Sequence, residues 1–133
     1  MSIKNPEQFK EWQERADEDF GSAKLLLEHE CFPAVICFHV HQVVEKYLKG
    51  YLAYNNFELE KTHQLDVLLE EIAIKIDEEF RKYKDEAVSL NDYYIETRYP
   101  TDLRENISIE EAKEALEKAS RIRDFVLSKV KVS

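Results

Sequence analysis

Only two glycines and three prolines interrupt the 133 residues of this chain. A sandwich or barrel of short strands needs turn residues about every 10 positions, so this sequence is confined to long helices with few connections. The three prolines fall at the edges of stretches of helical periodicity. Asn5-Pro6, with Gln8 at the third helical position, predicts a helix start with a capping box. From there Phe9, Trp12, Ala16, Phe20, Ala23 and Leu27 recur in steps of three or four. They form one apolar stripe over about 25 residues, roughly 38 Å of helix.

Phe32-Pro33 restarts the pattern, because proline is tolerated in a first helical turn and breaks an interior. The second helix is expected to run to about Tyr54 and to end at Asn55-Asn56. Val35, Ile36, Phe38, Val40, Val43, Val44, Tyr47, Leu48, Tyr51 and Leu52 make it apolar on most sides, which places it at the bundle centre or at a subunit contact. Thr62 is expected to cap a third helix carrying Leu65, Leu68, Leu69, Ile72 and Ile76, and a fourth stripe follows from Phe80 to Tyr94. No Gly or Pro separates these two, so they are either one kinked helix or two joined near Asp77. Pro100 keeps Tyr99 out of helical geometry, so the run should stop by about Arg98, with a loop to Asn106. Ser108 and Glu111 form a second capping box, and Ile109, Ala112, Leu116, Ala119, Ile122, Val126 and Val130 carry the last helix. The fold class expected is all-α, an antiparallel up-and-down bundle of four to five helices, with residues 1–133 forming one domain.

A composition of 44% apolar and 35% charged residues is that of a globular chain, and the apolar run 34–38 is far too short to span a bilayer. Residues 1–20 lack the apolar core of a secretory signal, so a cytoplasmic location without a membrane partner is expected. The net charge is −9, with seven basic against thirteen acidic residues between positions 60 and 107. Such a surface repels polyanions in general and leaves room only for a local basic groove. Cys31 and Cys37 lie six apart near a helix start, where their side chains diverge, so both are expected to be reduced thiols.

The chemistry open to such a chain is narrow. Gly21 and Gly50 stand alone, so no glycine-rich phosphate loop is present. Glu60 and His63 form the only Glu-x-x-His spacing, at a helix start, and a di-metal bundle site is not expected. His39 and His41 diverge by about 200° on a helix and do not grip a common ion. No metal and no other cofactor is expected. His41, Glu45 and Lys49 do align at i, i+4 and i+8, with Gln42 and Lys46 beside them. The simplest reading is a solvated strip with ordinary side-chain pairs; the functional one is a polar groove in which Glu45 orients His41 or a basic partner. The segment from Tyr93 to Pro100 adds three tyrosines and Arg98, stacking surfaces beside a forked cation suited to phosphate or carboxylate. The candidate ligand site is therefore Arg98, Tyr94 and Tyr99 with Glu45 and His41. The competing reading has the tyrosines packing the bundle's end and Arg98 paired with an acid.

Three segments in order and spacing, Phe38 to Leu52, Lys61 to Leu65 and Leu90 to Pro100, resemble the HEPN family, the "higher eukaryotes and prokaryotes nucleotide-binding" domain. The resemblance spans nearly the whole chain, from Trp12 to the last helix. It implies a bundle of four or five helices, usually a homodimer, often encoded beside a minimal nucleotidyltransferase in a toxin-antitoxin arrangement. Many members are metal-independent ribonucleases with an Arg-x(4 to 6)-His motif, the histidine moving a proton and the arginine steadying phosphate. This sequence departs there. The corresponding positions after Arg98 are Leu103, Arg104 and Glu105, those after Arg104 are Ile109, Glu110 and Glu111, and no histidine follows His63. Arg98 matches the family's arginine, while the proton-transfer half is missing and no catalytic residue is assigned.

The function expected is thus a dimeric HEPN-like module of a toxin-antitoxin type system that binds a partner nucleotidyltransferase, a nucleotide or RNA. The alternatives are a metal-independent ribonuclease in which His41 or His63 replaces the missing histidine, and a helical adaptor with no nucleotide ligand.

Overall fold

In the computed structural model, residues 3–94 and 106–130 are described. They form five α-helices: α1 (Pro6–Glu28), α2 (Pro33–Tyr54), α3 (Leu65–Lys75), α4 (Lys84–Leu90) and α5 (Ile109–Lys129). Two 3₁₀ turns flank α4, at Glu78–Tyr83 and Asn91–Tyr93. The chain is an up-and-down helical bundle, and no strand occurs among the described residues.

The helix ends follow local chemistry. Asn5 Oδ1 accepts from the Gln8 amide at 3.2 Å, the cap expected. The other half of the box is replaced, because the Asn5 amide donates to the Tyr54 carbonyl at 2.8 Å and so ties the start of α1 to the end of α2. Both α1 and α2 close with Schellman motifs: Glu30 and Asn56 sit at φ 53° and 64°, and the amides of Cys31 and Phe57 reach back to Leu26 and Leu52. Ser108 Oγ accepts from the Glu111 amide at 3.0 Å and caps α5.

The start of α3 corrects the sequence reading. Thr62 does not cap it; its Oγ1 accepts from the Gln64 amide in a local turn, and Gln64 occupies the cap position with no side-chain bond. The donor at Leu65 is instead satisfied by Asn91 Oδ1 at 2.7 Å, and Asn91 Nδ2 donates to Asp66 Oδ1 at 2.7 Å. Between α3 and α4 the chain does break at Asp77, whose carboxylate accepts from the Glu79 amide and starts a 3₁₀ turn. The fourth helical run ends at Tyr93, short of Arg98, with Tyr94 already extended at φ −79°, ψ 130°.

The core is built around α2. From Val40 to Tyr54 every residue except Gln42 and Lys46 is buried. α1 supplies the largest cover, then α5, then α3. Each fully buried aliphatic side chain contributes roughly 1.5–3 kcal/mol before ordering entropy is charged against it. One chain therefore covers α2 from Val40 to Tyr54, which places that stretch at the bundle centre, while Val35 in its first turn stays exposed. α1 and α2 approach closely at Gly50, where a Cβ would lie 2.9 Å from Trp12 Cβ. Polar ties complete the packing: Asp17 accepts from Tyr47 at 2.6 Å and from Arg123 at 3.2 Å, linking α1, α2 and α5. Cys31 and Cys37 are both thiols, Cys37 fully buried. No helix among the described residues is long and apolar enough to cross a membrane.

Candidate functional site

The polar strip of α2 is not a solvated face. His41 is 0% exposed, Glu45 5% and Lys49 8%, in the middle of the molecule's most buried helix. Charged groups survive burial only when paired and hydrogen-bonded, and this strip meets that condition. Glu45 Oε2 accepts from Lys49 Nζ at 2.9 Å. Both Glu45 oxygens lie 3.1 Å from His63 Nδ1, which donates to them from the connection preceding α3.

His41 plays a different part. Its Nε2 lies 2.9 Å from the His63 carbonyl oxygen, and because a carbonyl only accepts, Nε2 carries the proton. Nδ1 is left to accept from Gln42 Nε2 at 3.3 Å, while Glu45 Oε1 stands 3.7 Å away, beyond hydrogen-bonding reach. The ring is therefore neutral. Burial pushes its pKa below the ordinary 6.5, outweighing the pull of Glu45 in the other direction. Glu45 thus orients His63 and Lys49, whereas His41 fixes the backbone from which His63 projects.

Tyr94 closes the cluster. Its ring stacks on His63 with centroids 4.2 Å apart and planes 15° apart, and lies 5.3 Å from the His41 ring. The site so formed draws on α2, on the connection 61–64 and on the chain leaving the second 3₁₀ turn. Of the residues singled out from sequence, His41, Glu45 and Tyr94 come together here. Arg98 and Tyr99 lie outside the described residues. Lys49, read in the same helical strip, and His63, named as one possible histidine of the ribonuclease alternative, join them, although neither was in the candidate ligand set. Tyr93 belongs to the packing, buried with its hydroxyl donating to Glu111 Oε2 at 2.5 Å.

Chemically, a carboxylate holding imidazole Nδ1 fixes the tautomer and the orientation of the His63 ring. His39 points elsewhere, its Nδ1 2.8 Å from Asp19 Oδ1, and Lys46 donates to the other oxygen of that carboxylate at 2.6 Å. Among the described residues no group of three or more His, Cys, Asp or Glu is arranged to hold a metal ion.

This arrangement of helices has relatives. The sequence matches the HEPN domain over residues 9–130. The chain belongs to the HEPN family. Among solved structures, this HEPN chain is similar to TT1696 from Thermus thermophilus, with 29% identity, a TM-score of 0.78, and 92% of this chain and 98% of that one covered. It also shares its fold with ST0689, an archaeal HEPN homologue, at 21% identity and a TM-score of 0.74 over the same shares of the two chains. No curated protein sequence matches it. In this HEPN chain the histidines that meet the polar cluster precede the fourth helical run, the reverse of the Arg-then-His order described above.

Proposed function

We propose that this HEPN chain binds a nucleotide or a short RNA end at the His41, Glu45, Lys49, His63 and Tyr94 cluster, as a dimeric module of a toxin-antitoxin type system with a partner nucleotidyltransferase. The observation that carries the binding reading is the buried Glu45–Lys49 pair, whose carboxylate reaches His63 beneath the Tyr94 ring. Burying two opposite charges is costly, and a fold that needed only packing is served as well by apolar residues there. In this reading Arg98 holds phosphate, Tyr94 and Tyr99 stack on a base, and Glu45 with His41 shapes the groove. The dimer and the nucleotidyltransferase partner rest on the family likeness alone.

The test is titration of wild type, Arg98→Ala and Tyr94→Ala with adenosine, guanosine and cytidine nucleotides and a short single-stranded RNA. Binding by wild type that falls at least tenfold in Arg98→Ala supports the assignment. Equal binding by all three proteins, or none by any, removes it and leaves the adaptor reading.

The Glu45–His63 hydrogen bond also favours a second reading, a metal-independent ribonuclease in which His63 moves the proton and Arg98 steadies the phosphate. It predicts RNA cleavage in the presence of a chelator, lost in His63→Ala and in Arg98→Ala. RNA left intact after long incubation at high protein concentration rejects it.

A further inference from the structure

A groove of about 450 Å³ lies on the outer face of α3, and none of its lining residues belongs to the cluster described above. Val67, Glu70, Glu71, Ile74 and Lys75 form one helical stripe at i, i+3, i+4, i+7 and i+8 along it. Glu60, Asp66 and Lys84 complete the wall; of its four carboxylates Glu70 is already held by the Arg81 guanidinium at 2.8 Å and Asp66 accepts from Asn91, which leaves Glu60 and Glu71 beside the two ammonium groups. Val67 and Ile74 are exposed on the same face, Ile74 by 69%.

Acidity alone would identify no ligand; Glu71 does. Its side chain is only 8% exposed, and although Oε1 accepts from Lys75 Nζ at 3.0 Å, the buried Oε2 has no hydrogen-bond partner among the described residues. Folded proteins rarely leave a buried carboxylate oxygen without a donor. The occupant that fits is one presenting two parallel N–H groups to both oxygens, which is the geometry of a guanidinium. An ammonium such as Lys75 offers a single point of charge, and the Lys75 side chain, 44% exposed, can move into solvent to admit a better partner.

We propose that this face of α3 is a docking site for a basic segment of another protein, which seats an arginine on Glu71 and rests its aliphatic stem and neighbouring apolar side chains on Val67 and Ile74. Lys75 acts as the placeholder that the arginine displaces. The charge balance agrees with this, since residues 60–107 carry most of the chain's excess of acid.

The probe is the capped tripeptide acetyl-Ala-Arg-Ala-amide, titrated while the methyl signals of Val67 and Ile74 are followed by NMR. The expected result is saturable shifts at both residues, with at least fivefold weaker binding of the Lys and citrulline versions. Glu71→Gln should weaken the arginine peptide at least fivefold, Lys75→Met should tighten it at least threefold, and Glu7→Gln, the same charge change on α1, should leave it unaltered. The proposal is overturned if the arginine and lysine peptides bind equally or if none binds. It is equally overturned if Glu7→Gln weakens binding as much as Glu71→Gln, which is attraction to net charge only, or if Lys75→Met weakens it. Thermal midpoints of the variants within a few degrees of wild type establish that each is folded, and Glu71→Asp supplies a second variant should Glu71→Gln unfold.

Discussion

Asn91 shows how much one side chain can decide. It lies 26 positions from Leu65 in sequence, yet its amide group supplies the acceptor that the first turn of α3 lacks locally. Replacing Asn91 with Ala should lower stability by about 1–2 kcal/mol, as loss of a cap does, whereas Thr62→Ala should cost only a few tenths. Denaturant midpoints at constant slope would measure both, and equal effects would refute the remote cap. His41 gives a pH-dependent prediction. Its pKa is lowered by burial among Glu45, His63 and Lys49, so below about pH 6.5 the unfolded chain takes up a proton that the folded one resists. This contribution to stability is complete above pH 6.5 and declines as the pH falls toward the lowered folded value. His41→Gln should flatten that part of the stability profile; an unchanged slope between pH 7 and 5 would contradict the neutral, buried ring.

For the helices, the two glycines make opposite predictions from the same substitution. Gly21 lies on α1 with nothing within 4 Å of where a methyl group would sit, so Gly21→Ala should stabilise the protein by about 0.5–1 kcal/mol through helix propensity. Gly50 faces the Trp12 Cβ at 2.9 Å, backbone-proximal on both sides, so the added methyl forces α1 and α2 apart. Gly50→Ala should destabilise by about 1–3 kcal/mol despite the same gain in propensity. Thermal melts of the two variants should move in opposite directions. The sequence showed each glycine as an isolated interruption of a helical stripe and held nothing that distinguished them, because the difference is made by the helix opposite. Boundaries were more legible: Asn5-Pro6, Phe32-Pro33, Asn55-Asn56 and Ser108 to Glu111 all act within one helical turn, and all mark ends of α1, α2 or α5.

Across the whole molecule, the covering of α2 by α1, α5 and α3 changes what oligomerisation would need. The buried stretch from Val40 to Tyr54 is closed to a dimer contact, and exposed Leu25, Phe32 and Val35, the last in the first turn of α2, are the large apolar side chains nearest one another in sequence among the described residues. If the proposed dimer uses them, sedimentation should show a dimer for wild type and a monomer for Phe32→Glu; a wild-type monomer at high concentration would dismiss the dimer altogether. The family was legible in the order of three segments, and the candidate site was legible in part. His41 and Glu45 stood out as polar residues at helical spacing in an apolar helix, but their burial and their link to His63 were not written in that spacing. Periodicity, caps and the scarcity of turn residues are short-range properties, set by which positions share a helix face and which groups a terminus leaves unpaired, and the sequence by itself determined an all-α bundle through them. Which polar groups lose their water, which cap is lent from a distant turn and which glycine is crowded depend on how the helices pack against one another, and only the tertiary structure decided those.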